Sequence, residues 1–527
     1  MRERILVVAA ALLLAVSGLA LLNVCVADDV LPVEMEEQLS IGDRRAAEGL
    51  RVDYRMGLNG NLRWYMQYDA ASGENNTDFY LTYRGMEEPQ WSLPWWSFNY
   101  RWKPLCHLAD PGDFRDAVTS FARQSSSGET RYVQHRVYPI DYYDTYPIVL
   151  SRTYSDENGM FTVAENAQVI PFTGLKIPVS ESDFAEMDFR FPDEGDSIDA
   201  WVGGMSYMKN RFVSYSLAYE GGVLFTVGFA AEVEPQQEWA PEGFGLWHAA
   251  LERSSTTYDE YRATYELVYP LDITTQKVVL LQQSDDGAWI FLITAENEEL
   301  VLHVISAETY HLFQKVSLGK AQVSERSVTS FVWEDYGTLR DVTNIPAVLQ
   351  QDAYGETITI EYTDYPEVSL QQGDGFTVVM AGSELILLTQ ESAEFTRQFS
   401  CKIASLAYAS EDPDRNAPGH WVFTNTGEAE KSYGWIDSFD ATVCKGYTMV
   451  YNGDALAVAG YSNGSGGLML LSVYGADGLR YAAWLHGSMT MQHGVGGSFS
   501  WEELWQDKLP AYQGSYMTPQ PGLTWSA

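Results

Sequence analysis

Residues 451–485 read YNGDALAVAGYSNGSGGLMLLSVYGADGLRYAAWL. With the residues just before them they divide into four apolar runs. Strand A is Tyr447–Tyr451, strand B Ala455–Tyr461, strand C Leu468–Tyr474 and strand D Leu479–Leu485. Asn452-Gly453 separates A from B, and Asn-Gly is the strongest short hairpin signal, because both central residues of a type I′ turn need φ > 0. The stretch therefore reads as an antiparallel four-stranded unit.

The same order recurs upstream. Residues 276–318 place a turn at Asp285-Asp286-Gly287, with strand A at Val278–Gln282. Residues 366–403 place it at Asp374-Gly375. Residues 211–233 place it at Glu220-Gly221-Gly222, followed by a C strand near Phe244–Leu251 and a D strand near Thr264–Tyr269. Residues 51–85 place it at Asn59-Gly60, and Asn158-Gly159 marks a sixth copy. Four-stranded repeats of this kind resemble the blades of a β-propeller, in which each sheet packs face to face on its neighbours. The resemblance covers roughly residues 50–490 and implies a mostly β fold of six to eight blades. A blade usually takes about 40–50 residues; these turns lie further apart, so large loops and inserts are expected. No blade signature such as Gly-His…Trp-Asp is present, so no named family follows. The alternative is a run of unrelated hairpins in several sandwich domains. Two short helices are expected outside the blades, in DPGDFRDAVTSFARQ (110–124), capped by Asp113, and in SFSWEELWQDKLP (498–510).

The chain begins differently. Arg2 and Arg4 precede an apolar run from Ile5 to Ala27, long enough to span a bilayer as a helix. Positive charge before the run and Asp28-Asp29 after it place the body outside the cytoplasm. The length favours an uncut anchor over a signal segment cleaved after Cys25-Val26-Ala27, and cleavage would make the protein secreted. The expected organisation is thus a membrane anchor or signal segment (1–27), an acidic linker with a helical turn or two (28–50), and a propeller-like extracytoplasmic domain (51–527).

A formal charge of −39 excludes nucleic acid and anionic lipid surfaces as partners. Of four cysteines, Cys106, Cys401 and Cys444 fall in the body, with no C-x-x-C spacing for zinc or redox chemistry. Cys401 is placed at the end of one D strand and Cys444 just before the next A strand. That makes them the candidate disulfide, stabilising by roughly 3–4 kcal/mol if formed, with Cys106 unpaired.

Gly460-Tyr461-Ser462-Asn463-Gly464 matches the G-x-S-x-G pattern of serine hydrolases, and Asp477 with His486 or His493 follows in hydrolase order. That chemistry needs a strand, a strained elbow and a helix; here a Gly-rich loop and another strand follow, so the match is rejected. Asp412-Pro-Asp414-Arg-Asn416 resembles the first half of a calcium loop. Ala417 and Phe423 stand where glycine and a bidentate Glu belong, so calcium is only the alternative to a polar surface turn and no cofactor is expected. The eight His show no ligand spacing, and His303, between Leu302 and Val304, reads as a strand residue either packed or exposed at an edge rather than as a ligand. The most distinctive surface candidate is QWSLPWWSFNYRWKP (90–104). Trp91, Trp95, Trp96, Tyr100 and Trp102 offer flat apolar faces with polar edges, suited to stacking on sugars or anchoring a peptide. The alternative is that they plug a gap between an insert and the blades. The function expected is non-catalytic: an outward-facing, membrane-tethered propeller that binds or senses an envelope protein or a glycan. The rivals are a glycan-cleaving enzyme using loop carboxylates and a scaffold in an envelope complex.

Overall fold

The computed structural model describes residues 33–58, 62–81, 131–137, 142–143, 146–155, 162–178, 184–191, 199–206, 212–219, 222–253, 261–333, 355–392, 394–410, 420–424, 435–439, 448–461, 468–489 and 522–526. Among them there is no α-helix, only two 3-10 turns, Arg44–Ala47 and Gln237–Trp239. Five sheets have four or more antiparallel strands. Sheet I joins Leu50–Leu58, Leu62–Asp69 and Asn75–Leu81 to the C-terminal strand Gly522–Trp525. Sheet II is Phe212–Tyr219, Gly222–Phe229, Phe244–Arg253 and Tyr261–Leu271. Sheet III is Gln276–Gln283, Trp289–Glu296, Glu299–Ser306 and Leu312–Lys320. Sheet IV is Val368–Gly373, Phe376–Ala381, Glu384–Glu391 and Glu394–Lys402. Sheet V is Thr448–Tyr451, Leu456–Tyr461, Leu468–Gly475 and Gly478–Met489, with Val33–Gly42 as a fifth strand. In sheets II to V the four strands are consecutive in the chain and pair in order A-B-C-D. The strand assignments read from the sequence at 211–269, 276–318, 366–403 and 447–485 therefore hold.

The chain falls into two compact units, residues 92–368 and residues 1–91 with 369–527. In the first, sheets II and III share one core, to which Leu224 and Leu246 contribute from one sheet and Val278, Leu281 and Leu292 from the other. Every residue of the II-B strand, GVLFTVGF, is buried. Burial on both faces requires cover on both sides, and it explains why such strands read as continuous apolar runs rather than as alternation. A glycine is needed where the two backbones come closest: a Cβ on Gly228 would lie 2.1 Å from the Val278 carbonyl oxygen. Phe172, from the hairpin Tyr146–Ser155/Thr162–Phe172, packs on Phe225 and Trp247, each with centroids 5.1 Å away.

In the second unit, sheet IV packs directly on sheet V through Phe376, Val378, Leu387 and Phe399 against Leu456, Val458 and Tyr474. The Ala404 N–H donates to the buried Tyr474 hydroxyl at 2.8 Å. The chain between these two sheets builds a three-stranded sheet of its own from Ser405–Ser410, His420–Thr424 and Trp435–Phe439. This is one of the inserts that the turn spacing requires. Sheet V packs on sheet I through Ala457, Ala459 and Val473 against Val52, Tyr68 and Leu523. The chain ends are exchanged between these last two sheets. The C-terminal strand pairs Trp525 with Leu50 and Gly522 with Asp53 on sheet I. The N-terminal strand pairs Val33 with Met489 and Gly42 with Tyr481 on sheet V.

Four readings are corrected. In sheet I the C-terminal strand takes the first position, so the hairpin at Asn59-Gly60 joins the second and third strands rather than A and B. Residues 33–42 are a paired strand and not linker, because pairing on the Gly478–Met489 edge of sheet V supplies partners that an acidic sequence does not reveal; the helical turn expected nearby is the 3-10 turn Arg44–Ala47. Among the described residues the strands either side of Asn158-Gly159, Tyr146–Ser155 and Thr162–Phe172, pair only with each other. At Asn452-Gly453 only the glycine has positive φ (+97°). The Asn452 side chain instead accepts from the Asp454 and Ala455 N–H groups, closing a four-residue loop. A consecutive pair of positive φ, at 49° and 68°, falls on Asn297-Glu298 between III-B and III-C. The apolar run 5–27 and both expected helices lie outside the described residues, among which no helix is long and apolar enough to cross a membrane.

Candidate functional site

Trp91, Trp95, Trp96, Tyr100 and Trp102, the calcium-like segment 412–416, Cys106 and Cys444 lie outside the described residues. Cys401 sits on IV-D as a free thiol, pushed up to about 12 by burial and the nearby Glu384 carboxylate. The G-x-S-x-G match begins at the end of V-B and strand V-C begins at Leu468, while Ser462 itself lies outside the described residues. Among the described residues no three His, Cys, Asp or Glu side chains converge as a metal site needs.

The densest polar constellation centres on His303. The turn at Asn297-Glu298 sets the III-B/III-C register, opposing Leu292 to His303 and Thr294 to Val301. Thr294, Glu296 and His303 thereby share one face of sheet III. His303 is fully buried. Its Nδ1 lies 2.8 Å from the Tyr269 hydroxyl of sheet II, and its Nε2 lies 2.7 Å from Glu296 Oε1 and 2.9 Å from Thr294 Oγ1. Glu296 Oε1 also accepts from Gln276 Nε2 (2.8 Å), Thr294 Oγ1 (2.8 Å) and Lys315 Nζ (3.2 Å).

Charge decides the tautomer. Burial alone would raise the Glu296 carboxyl, but the hydrogen bonds from Gln276, Thr294, His303 and Lys315 outweigh it and bring it down to about 2. A carboxylate only accepts, so Nε2 carries the proton and Nδ1 accepts from Tyr269. Burial lowers the His303 pKa against the opposing pull of Glu296, which keeps the imidazole neutral. Burial also pushes the Tyr269 phenol up to about 12, with Glu296 adding to it. Tyr269, His303, Glu296 and Lys315 thus form a chain of acid–base groups whose central imidazole has no face open to a substrate. The arrangement ties sheet II to sheet III rather than carrying out proton transfer.

A second node fastens the N-terminal strand. Glu37 accepts from Arg44, from the Tyr481 hydroxyl at 2.8 Å and from the Tyr68 hydroxyl at 3.4 Å. One carboxylate thereby links the N-terminal strand, the 3-10 turn, sheet V and sheet I. Burial would raise its pKa, but the Ser40, Tyr481 and Arg44 hydrogen bonds leave it lowered. Burial pushes Tyr68 up to about 12 and raises Tyr481 as well. Of the two placements the sequence left open for His303, packed or edge-exposed, the structure takes the packed one, and sequence reasoning missed its partners. No glycine marks the Asn297-Glu298 turn that brings Thr294 and Glu296 beside it, so the sequence held no signal for them.

The sequence matches no protein-family model and no curated protein. Solved structures with a related arrangement include the β-propeller domain of Cps50 (Swd1) from Myceliophteria thermophila, 8% identical over 71% of this chain and 89% of that one, TM-score 0.23. The WD40 domain of SCAP from fission yeast is 8% identical over 83% and 76%, TM-score 0.19. TolB from Acinetobacter baumannii is 9% identical over 85% and 81%, TM-score 0.15. Likeness at that level carries no weight by itself, and the blade reading stands on the strand order and face-to-face packing within each unit.

Proposed function

We propose that this chain is a membrane-tethered, outward-facing β-propeller of six to eight blades that binds or senses an envelope protein or a glycan without turning it over. The observation that carries the reading is the insert between sheets IV and V. The two sheets pack on each other directly, yet the chain between them builds a separate three-stranded sheet. A rigid stack of satisfied sheets that displays added modules suits recognition, because binding elements gain precision from a scaffold that does not reorganise. The aromatic run holding Trp91, Trp95, Trp96, Tyr100 and Trp102 supplies the stacking faces, and the acidic surface favours partners of neutral or positive charge. The run from Ile5 to Ala27 supplies the tether.

The test is a pull-down from envelope extract, paired with a glycan array, using residues 28–527 as bait. A partner retained by the native sequence and lost from W95A/W96A supports the reading. Release of cleaved glycan would replace it with the enzyme reading. Protease added to intact cells should degrade the body; protection that persists until lysis would refute the outward orientation.

A further inference from the structure

We infer that one end of sheet III, built from its A–B and C–D turns with Trp289, Leu312 and Phe313, docks an extended partner peptide that alternates basic and apolar residues. The inference rests on the binding reading above and assigns it a further surface. Leu312 is 42% exposed and Phe313 50% exposed, among the few large apolar side chains that the described residues present to solvent. Their position follows from a slip in the ladder. Ile305 pairs with Leu312 but Val304 pairs with Gln314, so Phe313 is an extra residue on strand III-D. A bulge re-aims a side chain, and such irregularities concentrate at sheet edges and beside functional sites. Here it lays the Phe313 ring over Trp289, with centroids 4.9 Å apart and planes 48° to one another.

The two turns beside this pair are joined, since the Ala307 N–H donates to the Ala288 carbonyl. They carry exposed carboxylates at Asp286 and Glu308. Asp286 accepts from Ser284 Oγ at 2.6 Å and from the Ala288 N–H at 2.9 Å, contacts that lower its pKa and keep it charged without neutralising it. The next cation along strand III-D, Lys315, is paired with Glu296 toward the opposite end of the sheet. The surface is therefore an open aromatic pair with an aliphatic neighbour, bordered by negative charge. Exposed aromatic rings take apolar side chains of a partner, and flanking carboxylates favour ammonium or guanidinium groups over anionic or uncharged ones.

The test uses the full chain and two labelled peptides of equal length and charge, one alternating Lys with Leu and one alternating Lys with Ser, read by fluorescence anisotropy. The Lys-Leu peptide should bind about tenfold more tightly, and L312S/F313S should abolish that preference while leaving Lys-Ser binding unchanged. Both substitutions lie at exposed positions, and an unchanged circular dichroism spectrum confirms folding. D286N/E308Q should weaken both peptides together. Equal affinity for the two peptides, a preference that survives L312S/F313S, or no binding at all would overturn the inference. The last result leaves the aromatic run at 90–104 to be judged by the pull-down.

Discussion

Replacing Tyr269 by Phe removes one hydroxyl and almost no volume. The atom it leaves behind is His303 Nδ1, on a side chain with no solvent exposure, 2.8 Å from the lost donor. The imidazole has no rescue through its other tautomer, because Nε2 must keep its proton to donate to Glu296. A buried acceptor left unsatisfied costs about 1–3 kcal/mol, a loss of roughly five- to 150-fold in the folded population. Tyr451→Phe provides the contrast: it deletes a shorter hydrogen bond, 2.7 Å to the Gly453 carbonyl, but at an exposed site where water replaces the partner. Urea unfolding of both variants, followed by tryptophan fluorescence, should move the midpoint for Y269F and scarcely move it for Y451F. Equal effects in the two variants, or no effect in Y269F, would show that the His303 chain does not hold sheets II and III together.

Glu296 has a folded-state pKa below its ordinary value, so its contribution is present above about pH 4.5 and fades as pH falls toward about 2; E296Q should flatten that part of the stability curve, and an unchanged acid transition would contradict the assignment. Gly228→Ala places a Cβ against the Val278 carbonyl and should destabilise by about 1–3 kcal/mol, whereas near-native unfolding would mean the sheets are spaced more widely. Deleting residues 521–527 strips sheet I of its first strand and should expose residues 50–58 to limited proteolysis; unaltered digestion would refute the pairing. Cys401, with its thiol pushed up to about 12, should react slowly with iodoacetamide in the folded protein and quickly in denaturant without reductant, and a requirement for reductant would reveal a bridge to Cys444.

Legibility in the sequence tracked the range of the interaction. Sheets II to V were visible because their B and C strands carry apolar runs and because the turn between A and B holds a glycine at or beside it: Gly287, Gly375 and Gly453 with positive φ, and Gly222 opening strand II-B. Asn297-Glu298 reverses the chain in two residues without a glycine, so composition gave no cue to it. The strand Val33–Gly42 was hidden by its acids, since Glu37 looks like linker chemistry until Arg44, Tyr68 and Tyr481 are known to surround it. Its partner strand, and that of Gly522–Trp525, lie hundreds of residues away, where no local pattern can point. His303 could be read as packed or edge-exposed from its apolar neighbours, but Tyr269 comes from another sheet and was out of reach.

The exchange of chain ends gives the polypeptide an unusual order of completion. Leu50–Leu58 of sheet I are synthesised hundreds of residues before the strand they pair with, Gly522–Trp525. At ~5–20 residues per second, Leu50–Asp53 wait on the order of half a minute or more for Gly522–Trp525. Through that interval the sheet presents a bare backbone edge, and until Gly478–Met489 is made the N-terminal strand also lacks the sheet it must join. A ribosome that stalls before that point therefore leaves a chain with two unsealed borders, each a template for pairing with a neighbouring nascent copy.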